Sequence, residues 1–458
     1  MSTSGNSPIE QQKSDISSGC NTVELTGSCV VGKGILQLTE EEKLQLQKIY
    51  ENWGGKASFF IPASGSGSRM FSELVSFIET EQASEAIVAF FQKLPDLALF
   101  QELPLVVRQK YEALQPIYLA EYLVSKEGMR FQDKPKGLIP FHKTNHGVYN
   151  PFQDQFLQAL ALLGSEGHVH FTIQKDFEEA ILESLQTLNV RSIQSKVSFS
   201  HQDSASDAYC FNDDNELVMS EGEPVRRPAG HGALLKNLNE VDSDLVFVKN
   251  IDNVQHPNKA ILNQQVWKYC AGLLLEFKKE LAALIDSFSA SGLRDLNEKY
   301  QFLSDEELSH CDVAKLREYG NRPSRVCGMV VNEGAPGGGP FWVNDDGVVS
   351  KQIVEKVQIS PKDASIVEQS SHFNPVFIAL SKTDVFGEQL NLHDFVDSSK
   401  YLVVNKPNGS GSLNYRELPG LWNGGMHFWN TVFIEIPKEV FSPVKSVFDL
   451  MKDAHQDS

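Results

Sequence analysis

The sequence predicts an α/β fold built on a mixed, mainly parallel sheet with helices on both faces. Apolar runs of strand length (ASFFIPAS, HVHFTIQ and DLVFVKNID) alternate with stretches of helical period, the pattern of strands joined through helices. The first run stops on GSGSRM, a loop of glycine and serine, before a helical segment; in an α/β sheet this order turns backbone N–H groups toward an anion. The run DLVFVKNID ends on polar residues, Asn250, Asp252 and Asn253, at the strand end where open α/β sheets bind ligands.

Taken in chain order, residues 1 to about 35 are rich in Ser, Gly, Asn and Gln and read as a mobile tail without chemistry. LTEEEKLQLQKIYENW opens with Thr39 as N-cap and three acids, then shows helical spacing, and ends before Gly54 and Gly55. After the first strand and its loop, a helical region reaches Arg130, with Ile87, Val88, Phe90, Phe91 and Leu94 on one face. HVHFTIQ precedes DFEEAILESLQTL, and DLVFVKNID precedes a long helical segment ending near IDSF. From about Arg325, glycine-rich turns separate short strands, including VCGMVVNEGAPGGGPFWV and HFNPVFIAL, as in a mixed sheet. LWNGGMHFWNTVFIEIP adds one more strand. The expected organisation is a tail, 1–35, and one domain, 36–452, with helical insertions at about 71–130 and 260–320.

Composition narrows the ligand. With 41 Lys+Arg against 60 Asp+Glu the net charge is -19, so nucleic acid is not an expected partner and any phosphate must meet a local positive cluster. Six cysteines without a CxxC pair indicate neither a zinc site nor a disulfide framework. With no signal-like start and no apolar stretch of the roughly 18 residues a membrane span needs, the expectation is a cytoplasmic protein without a membrane partner. The oligomeric state is left open.

Five stretches carry candidate chemistry, each beside a plainer reading. PASGSGSRM is a phosphate cradle with Arg69 as its cation, or an ordinary turn; it lacks the GK[ST] ending of a P-loop. KPKGLIPFH holds Lys136 near rigid backbone, where a compact charge suits phosphate, or leaves it solvated. RRPAGHGALLKNL brings a Gly-His-Gly turn to a helix start, for close approach to a ligand or simply to turn the chain. Asp252 in NIDN suits Mg²⁺, which takes one or two carboxylates and substrate phosphates, or forms an Asx turn. FSPVKSVFDLM fixes Lys445 after a proline as a further cation, or exposes it to solvent.

Together and in this order, these stretches resemble the sugar-phosphate nucleotidyltransferases. PASGSGSRM resembles their L-x-G-G-x-G-T-R-M loop, RPAGHGALLKNL with VFVKNIDN is similar to elements of the UDP-sugar pyrophosphorylases, and FSPVKSVFDLM to their late lysine motif. The pattern of IPASG, IPFH, GAPGGGPFWV, HFNP and WNGGMHFWN is most similar to a bacterial family known only as a domain of unknown function. The resemblance departs at Ser64, where relatives carry glycine, at Ala233, where they carry an acid, and in the long separation of Lys136 from Arg69, which implies a helical insertion.

The resemblance implies a Rossmann-like sheet of the nucleotide-diphospho-sugar transferase type. It implies that Ser64, Gly65, Ser66, Gly67, Ser68 and Arg69 wrap a nucleoside triphosphate, and that Gly230, His231 and Gly232 approach the nucleoside or reacting phosphate. Lys136 would lie near the phosphates, Asp252 would hold Mg²⁺, and Lys445 would neutralise the α-phosphate. Asn250, Asn374, Asn423 and Gly424 are candidates for the sugar. The implied reaction joins a sugar 1-phosphate to a nucleoside triphosphate, UTP by the closest motifs, and releases pyrophosphate. The alternatives are a nucleotide-sugar-dependent glycosyltransferase and a non-catalytic nucleotide-binding regulator.

Overall fold

The computed structural model describes residues 7–164, 167–334, 337–409 and 411–457; Ala335 and Pro336 of the GAPGGGPFWV stretch lie outside them. Two compact units emerge where the sequence suggests one domain: Ala57–His201 with Lys249–Val266 and Pro437–Ser458, and Met1–Lys56 with Gln202–Val248 and Trp267–Ile436.

The unit that begins at Ala57 is built on three parallel strands, Ala57–Pro62, His168–Thr172 and Val197–Ser200, with Phe59 opposite Val169 and Phe171 opposite Phe199. Ser58 to Ile61 are all buried, as a parallel strand covered on both faces requires. Helix Pro151–Leu163 starts on a reciprocal Asn150/Gln153 capping box with proline in the first turn, and stops on Gly164 at φ 75. Between the first two strands lies the helical insertion, with helices Ser72–Thr80, Glu85–Lys93, Ala98–Glu102, Leu105–Gln109 and Pro116–Val124. Its core of Phe71, Leu74, Phe77, Phe90 and Leu123 also takes in Val254 and Val444. Each such side chain contributes about 1.5–3 kcal/mol of burial, so the insertion also anchors the segments around residues 252 and 445. Val88, expected on the buried face, is 47 % exposed.

The other unit carries strands in the order Val30–Val31, Gly34–Leu36, Asn430–Glu435, Ser324–Val331, Ile378–Ser381, Leu245–Val248. Pairing is parallel until Ile378–Ser381, which runs antiparallel to both neighbours. Strands Gly339–Asp345, Val348–Val354 and His372–Phe373 and the short helix Ala364–Glu368 lie between Val331 and Ile378, and an antiparallel neighbour needs no crossover helix. The expected 260–320 helical stretch holds helices Ile261–Asp286, Ala290–Tyr300, Asp305–His310 and Val313–Gly320.

Within the tail expected to be mobile, described residues 7–35 hold a helix and short strands. Pro8–Ser18 is a helix capped by Ser7 and Glu10, and Glu24–Ser28 pairs with Gly339–Asp345. Leu25 and Ile35 are buried by that pairing and by the parallel pairing of Gly34–Leu36, partners that composition does not reveal. Among the described residues no helix is long and apolar enough to cross a membrane.

Candidate functional site

Four of the sequence-selected groups meet within the unit that begins at Ala57. The loop after Ala57–Pro62 is pinned at both ends: the Ala63 N–H donates to Thr172 O at 2.8 Å, and Gln174 Nε2 donates to Ser64 O at 2.6 Å. Its middle pairs with the far end of the insertion. Gly67 N–H donates to Lys134 O at 2.8 Å and Lys136 N–H to Gly65 O at 3.0 Å, around an antiparallel bridge between Ser66 and Pro135. The insertion therefore leaves from the loop and returns to it. The separation of Lys136 from Arg69 in sequence vanishes in space.

The two loop glycines differ in what they permit. A Cβ on Gly67 would meet Ile139 Cδ1 at 2.6 Å and Phe131 O at 2.8 Å, whereas one on Gly65 would meet nothing within 4 Å. Gly65, Ser66 and Ser68 are exposed, and their N–H groups find no acceptor among the described residues. Arg69 is also exposed, on the short 3₁₀ turn Ser68–Phe71. Unspent amides beside an arginine are the groups that can hold an anion.

Asp252 sits in a turn closed by Asn253 N–H on Asn250 O. The turn is held from two sides. Gln155, 2 % exposed on helix Pro151–Leu163, directs its Nε2 at the carbonyls of Asn250, Ile251 and Asn253 at 3.1–3.3 Å. Val444 N–H donates to Asp252 O at 3.1 Å, and Ser442 N–H to Asn253 Oδ1 at 3.0 Å. The second pair of bonds sets Lys445 next to the carboxylate.

Two ammonium groups converge on one oxygen: Lys136 Nζ lies 2.7 Å and Lys445 Nζ 3.0 Å from Asp252 Oδ2. Side-chain exposure is 13 % for Lys136, 9 % for Asp252 and 58 % for Lys445. Burial pushes the Asp252 carboxyl up, but the two lysines outweigh it and hold it below the usual carboxylate range. Burial pulls Lys136 below the usual lysine range, against the attraction of Asp252; Lys445 and Arg69 add to the lowering. Asp252 Oδ1 is buried without a hydrogen-bond partner among the described residues. A hard carboxylate oxygen left unsatisfied fits a divalent cation such as Mg²⁺.

Asn250 is half-buried beside this turn. Lys249, which precedes it, escaped the sequence reading: it is 2 % exposed, and burial lowers it to about 7. Gln155 escaped as well, since a glutamine in a helix carries no motif.

The remaining candidates belong to the other unit. Gly230, at φ 75, and Gly232 make room for the chain's own segment, since a Cβ on either would meet Glu417 Oε2 at 2.5 Å or Pro419 O at 2.1 Å. Leu421 N–H donates to His231 Nδ1 at 3.0 Å, which places the ring proton on Nε2; burial lowers this histidine to about 4, and its ring stacks on Trp422 at 4.1 Å. Asn374 spends both ends of its amide on backbone, donating to Gly328 O and accepting from Val376 N–H, which steadies Val376 at φ 59. Asn423 Nδ2 donates to Ile353 O at 2.8 Å while its Oδ1 is unpartnered, and Gly424 packs against Lys400 and Pro419. A cluster of Asp345, Asp397 and His427, absent from the sequence reading, also lies in this unit, with Lys400 ion-paired to both carboxylates.

Residues 2–456 match a family described as a domain of unknown function, DUF4301. No curated protein matches in sequence. The chain is similar in structure to the uridine diphosphate N-acetylglucosamine pyrophosphorylase of Trypanosoma brucei, at 13 % identity and TM-score 0.50, over 96 % of this chain and 71 % of that one. It also matches a mutant UDP-glucose pyrophosphorylase of Leishmania major, at 13 % identity and TM-score 0.45, over 97 % and 74 % of the two chains. At such identity the first likeness shows a shared fold.

Proposed function

The chain belongs to the DUF4301 family, and on that footing we propose that it is a nucleotidyltransferase, joining a sugar 1-phosphate to a nucleoside triphosphate with release of pyrophosphate. The observation that carries this reading is the Lys136–Asp252–Lys445 cluster, assembled from three distant segments with Lys136 hydrogen-bonded through its backbone to the exposed glycine-serine loop. UTP is the preferred triphosphate because the loop, Gly-His-Gly and NIDN stretches resemble those of UDP-sugar enzymes.

In this reaction a phosphate oxygen of the sugar 1-phosphate attacks the α-phosphorus. The bond from that phosphorus to the bridging oxygen breaks, and pyrophosphate leaves with the electron pair. No protein nucleophile is needed; the chain aligns two anions and opposes their charge. The free N–H groups of Gly65, Ser66 and Ser68 would hold phosphate oxygens, with Arg69 beside them. Asp252 would hold Mg²⁺, which when bound supplies further neutralisation of the phosphate chain. Lys136 and Lys445, resting on Asp252 without substrate, would turn to the transferring phosphate and the departing pyrophosphate. Asn250, at the same turn, would face the sugar phosphate.

The test follows pyrophosphate in mixtures of the protein, Mg²⁺, each nucleoside triphosphate and a panel of sugar 1-phosphates. The expected result is release that requires both substrates and falls on the order of 10² to 10³ in Lys136→Met and Lys445→Ala. Wild-type protein that binds triphosphate without release, or variants that retain full rate, would overturn the reading.

A further inference from the structure

Each of the three segments that brings a charged group to the cluster also carries a histidine a few residues later: His142 after Lys136, His256 after Asp252, His455 after Lys445. These histidines are packed on one another. The rings of His142 and His455 stack at 5.2 Å and 12°, and His256 meets His142 edge-on at 5.6 Å. Their exposures are 0, 1 and 2 % for His142, His256 and His455.

Directed bonds run through the cluster. His142 Nδ1 lies 2.6 Å from Asp154 Oδ2, and His142 Nε2 lies 2.9 Å from His455 Nδ1. Asp154 sits in the first turn of helix Pro151–Leu163, the helix whose Gln155 clamps the Asp252 turn. His256 closes the arrangement. Its Nε2 lies 3.0 Å from the carbonyl of Lys143, next to His142, and its backbone N–H donates to Ala454 O, next to His455. All three segments are thus tied a second time, behind the residues that face substrate in the proposed reaction.

Apolar side chains of similar volume would fill such a space without burying polar groups, so packing alone does not account for an Asp–His–His chain. What the chain supplies is direction: each bond fixes one ring against the next, and each ring fixes a backbone segment. Burial holds His142 and His455 at about 3 and pushes Asp154 well above the carboxylate range, so neither histidine gains charge near neutral pH.

We propose that Asp154, His142, His455 and His256 form a latch of positioning residues that fixes where Lys136 and Lys445 reach Asp252. Its catalytic consequence rests on the nucleotidyltransferase reading; the latch itself does not. Because the bond from His142 to His455 joins the 136 and 445 segments, cutting it loosens the segment that carries Lys136, while Val444 and Ser442 still hold the 445 segment to the Asp252 turn and Gln155 still holds the turn itself.

Two substitutions at one position separate a directed bond from simple filling. His455→Asn keeps an amide able to hydrogen-bond His142 Nε2 near the place of Nδ1 but loses volume; His455→Leu keeps the volume and loses the hydrogen-bond partner. Acylation rates of Lys136 and Lys445 are measured by mass spectrometry in wild type and both variants, alongside turnover. The latch predicts that His455→Leu raises labelling of Lys136 by about tenfold and lowers kcat/KM for the triphosphate by a similar factor, with His455→Asn within about twofold of wild type. Unchanged labelling in His455→Leu, or an Asn variant worse than Leu, overturns it.

Should His455→Leu not fold, the wild-type chain with ¹⁵N-histidine decides. A coupling across the hydrogen bond between His142 Nε2 and His455 Nδ1 is expected, and its absence overturns the latch. Failure of wild type to release pyrophosphate would sink the nucleotidyltransferase reading and leave the labelling result intact, so the two are tested separately.

Discussion

Replacing Asp252 with asparagine removes the acid on which the Lys136 and Lys445 ammonium groups converge. Lys136 and Lys445 would then face each other around a neutral amide, 2.7 and 3.0 Å from where the charge stood. Breaking a buried pair by deleting one partner costs about 3–5 kcal/mol. Lys445 is 58 % exposed and its share is screened by water, which points to the lower end, about 3 kcal/mol. In a domain of 150–250 residues that corresponds to a melting point lower by about 6–12 °C. The cost arises from an unpaired Lys136, so Lys136→Met added to Asp252→Asn should recover most of it. Thermal and urea melts of wild type, both single variants and the double variant form the assay. The double variant should exceed Asp252→Asn in stability, and inorganic pyrophosphate should raise the melting point of Asp252→Asn more than that of wild type. An Asp252→Asn protein within about 2 °C of wild type, or a double variant no more stable than the single one, would refute the reasoning.

Other outcomes follow from the same geometry. In the proposed reaction Lys136 would need its charge to hold phosphate, and its pKa lies below the usual lysine value, so kcat/KM should fall as pH rises through a point under about 10.4. Lys445 lowers Lys136 further, so Lys445→Ala should move that limb to higher pH; a limb at the ordinary lysine value in wild type would contradict this. The buried Lys249 destabilises the fold while charged: its penalty is complete below pH about 7 and is relieved as pH rises toward the lysine range. Lys249→Met should therefore melt higher than wild type near neutral pH, with the gap closing toward pH 10, as read by melts across that range. Gly67→Ala should cost about 1–3 kcal/mol and lower activity, because its methyl displaces the segment that carries Lys136, whereas Gly65→Ala should leave the melting point unchanged.

Where chemistry follows local order, the sequence was legible. The runs ending at Pro62 and Val248 are apolar enough to be recognised as strands, and Asp252 stands in the turn directly after the second run. Lys136 and Lys445 were suspected one at a time. Their convergence was not visible, because it depends on pairings between residues 66 and 135 and between 253 and 443 that leave no periodic trace. Gln155 and the three histidines were missed for a related reason: a buried polar residue has no pattern of its own, only partners. The N-terminal stretch was misjudged because a few apolar residues among Ser and Gly gain their burial from strands more than three hundred residues away in sequence. The antiparallel strand at Ile378–Ser381 was hidden because a short apolar run carries no sign of its direction.

The bonds that join Asp252 to Lys136 and to Lys445 span 116 and 193 residues of sequence. Contacts of such range form only after the entropy of closing long loops has been met, so they are expected to trail the helices during folding, as the equally long-range pairing of Ala57–Pro62 with His168–Thr172 does. A partly folded chain would thus own its helices well before it owned its pocket. Regain of anion binding after dilution from denaturant should lag behind the return of far-ultraviolet signal, and mild denaturant should silence the pocket while most of the secondary structure survives.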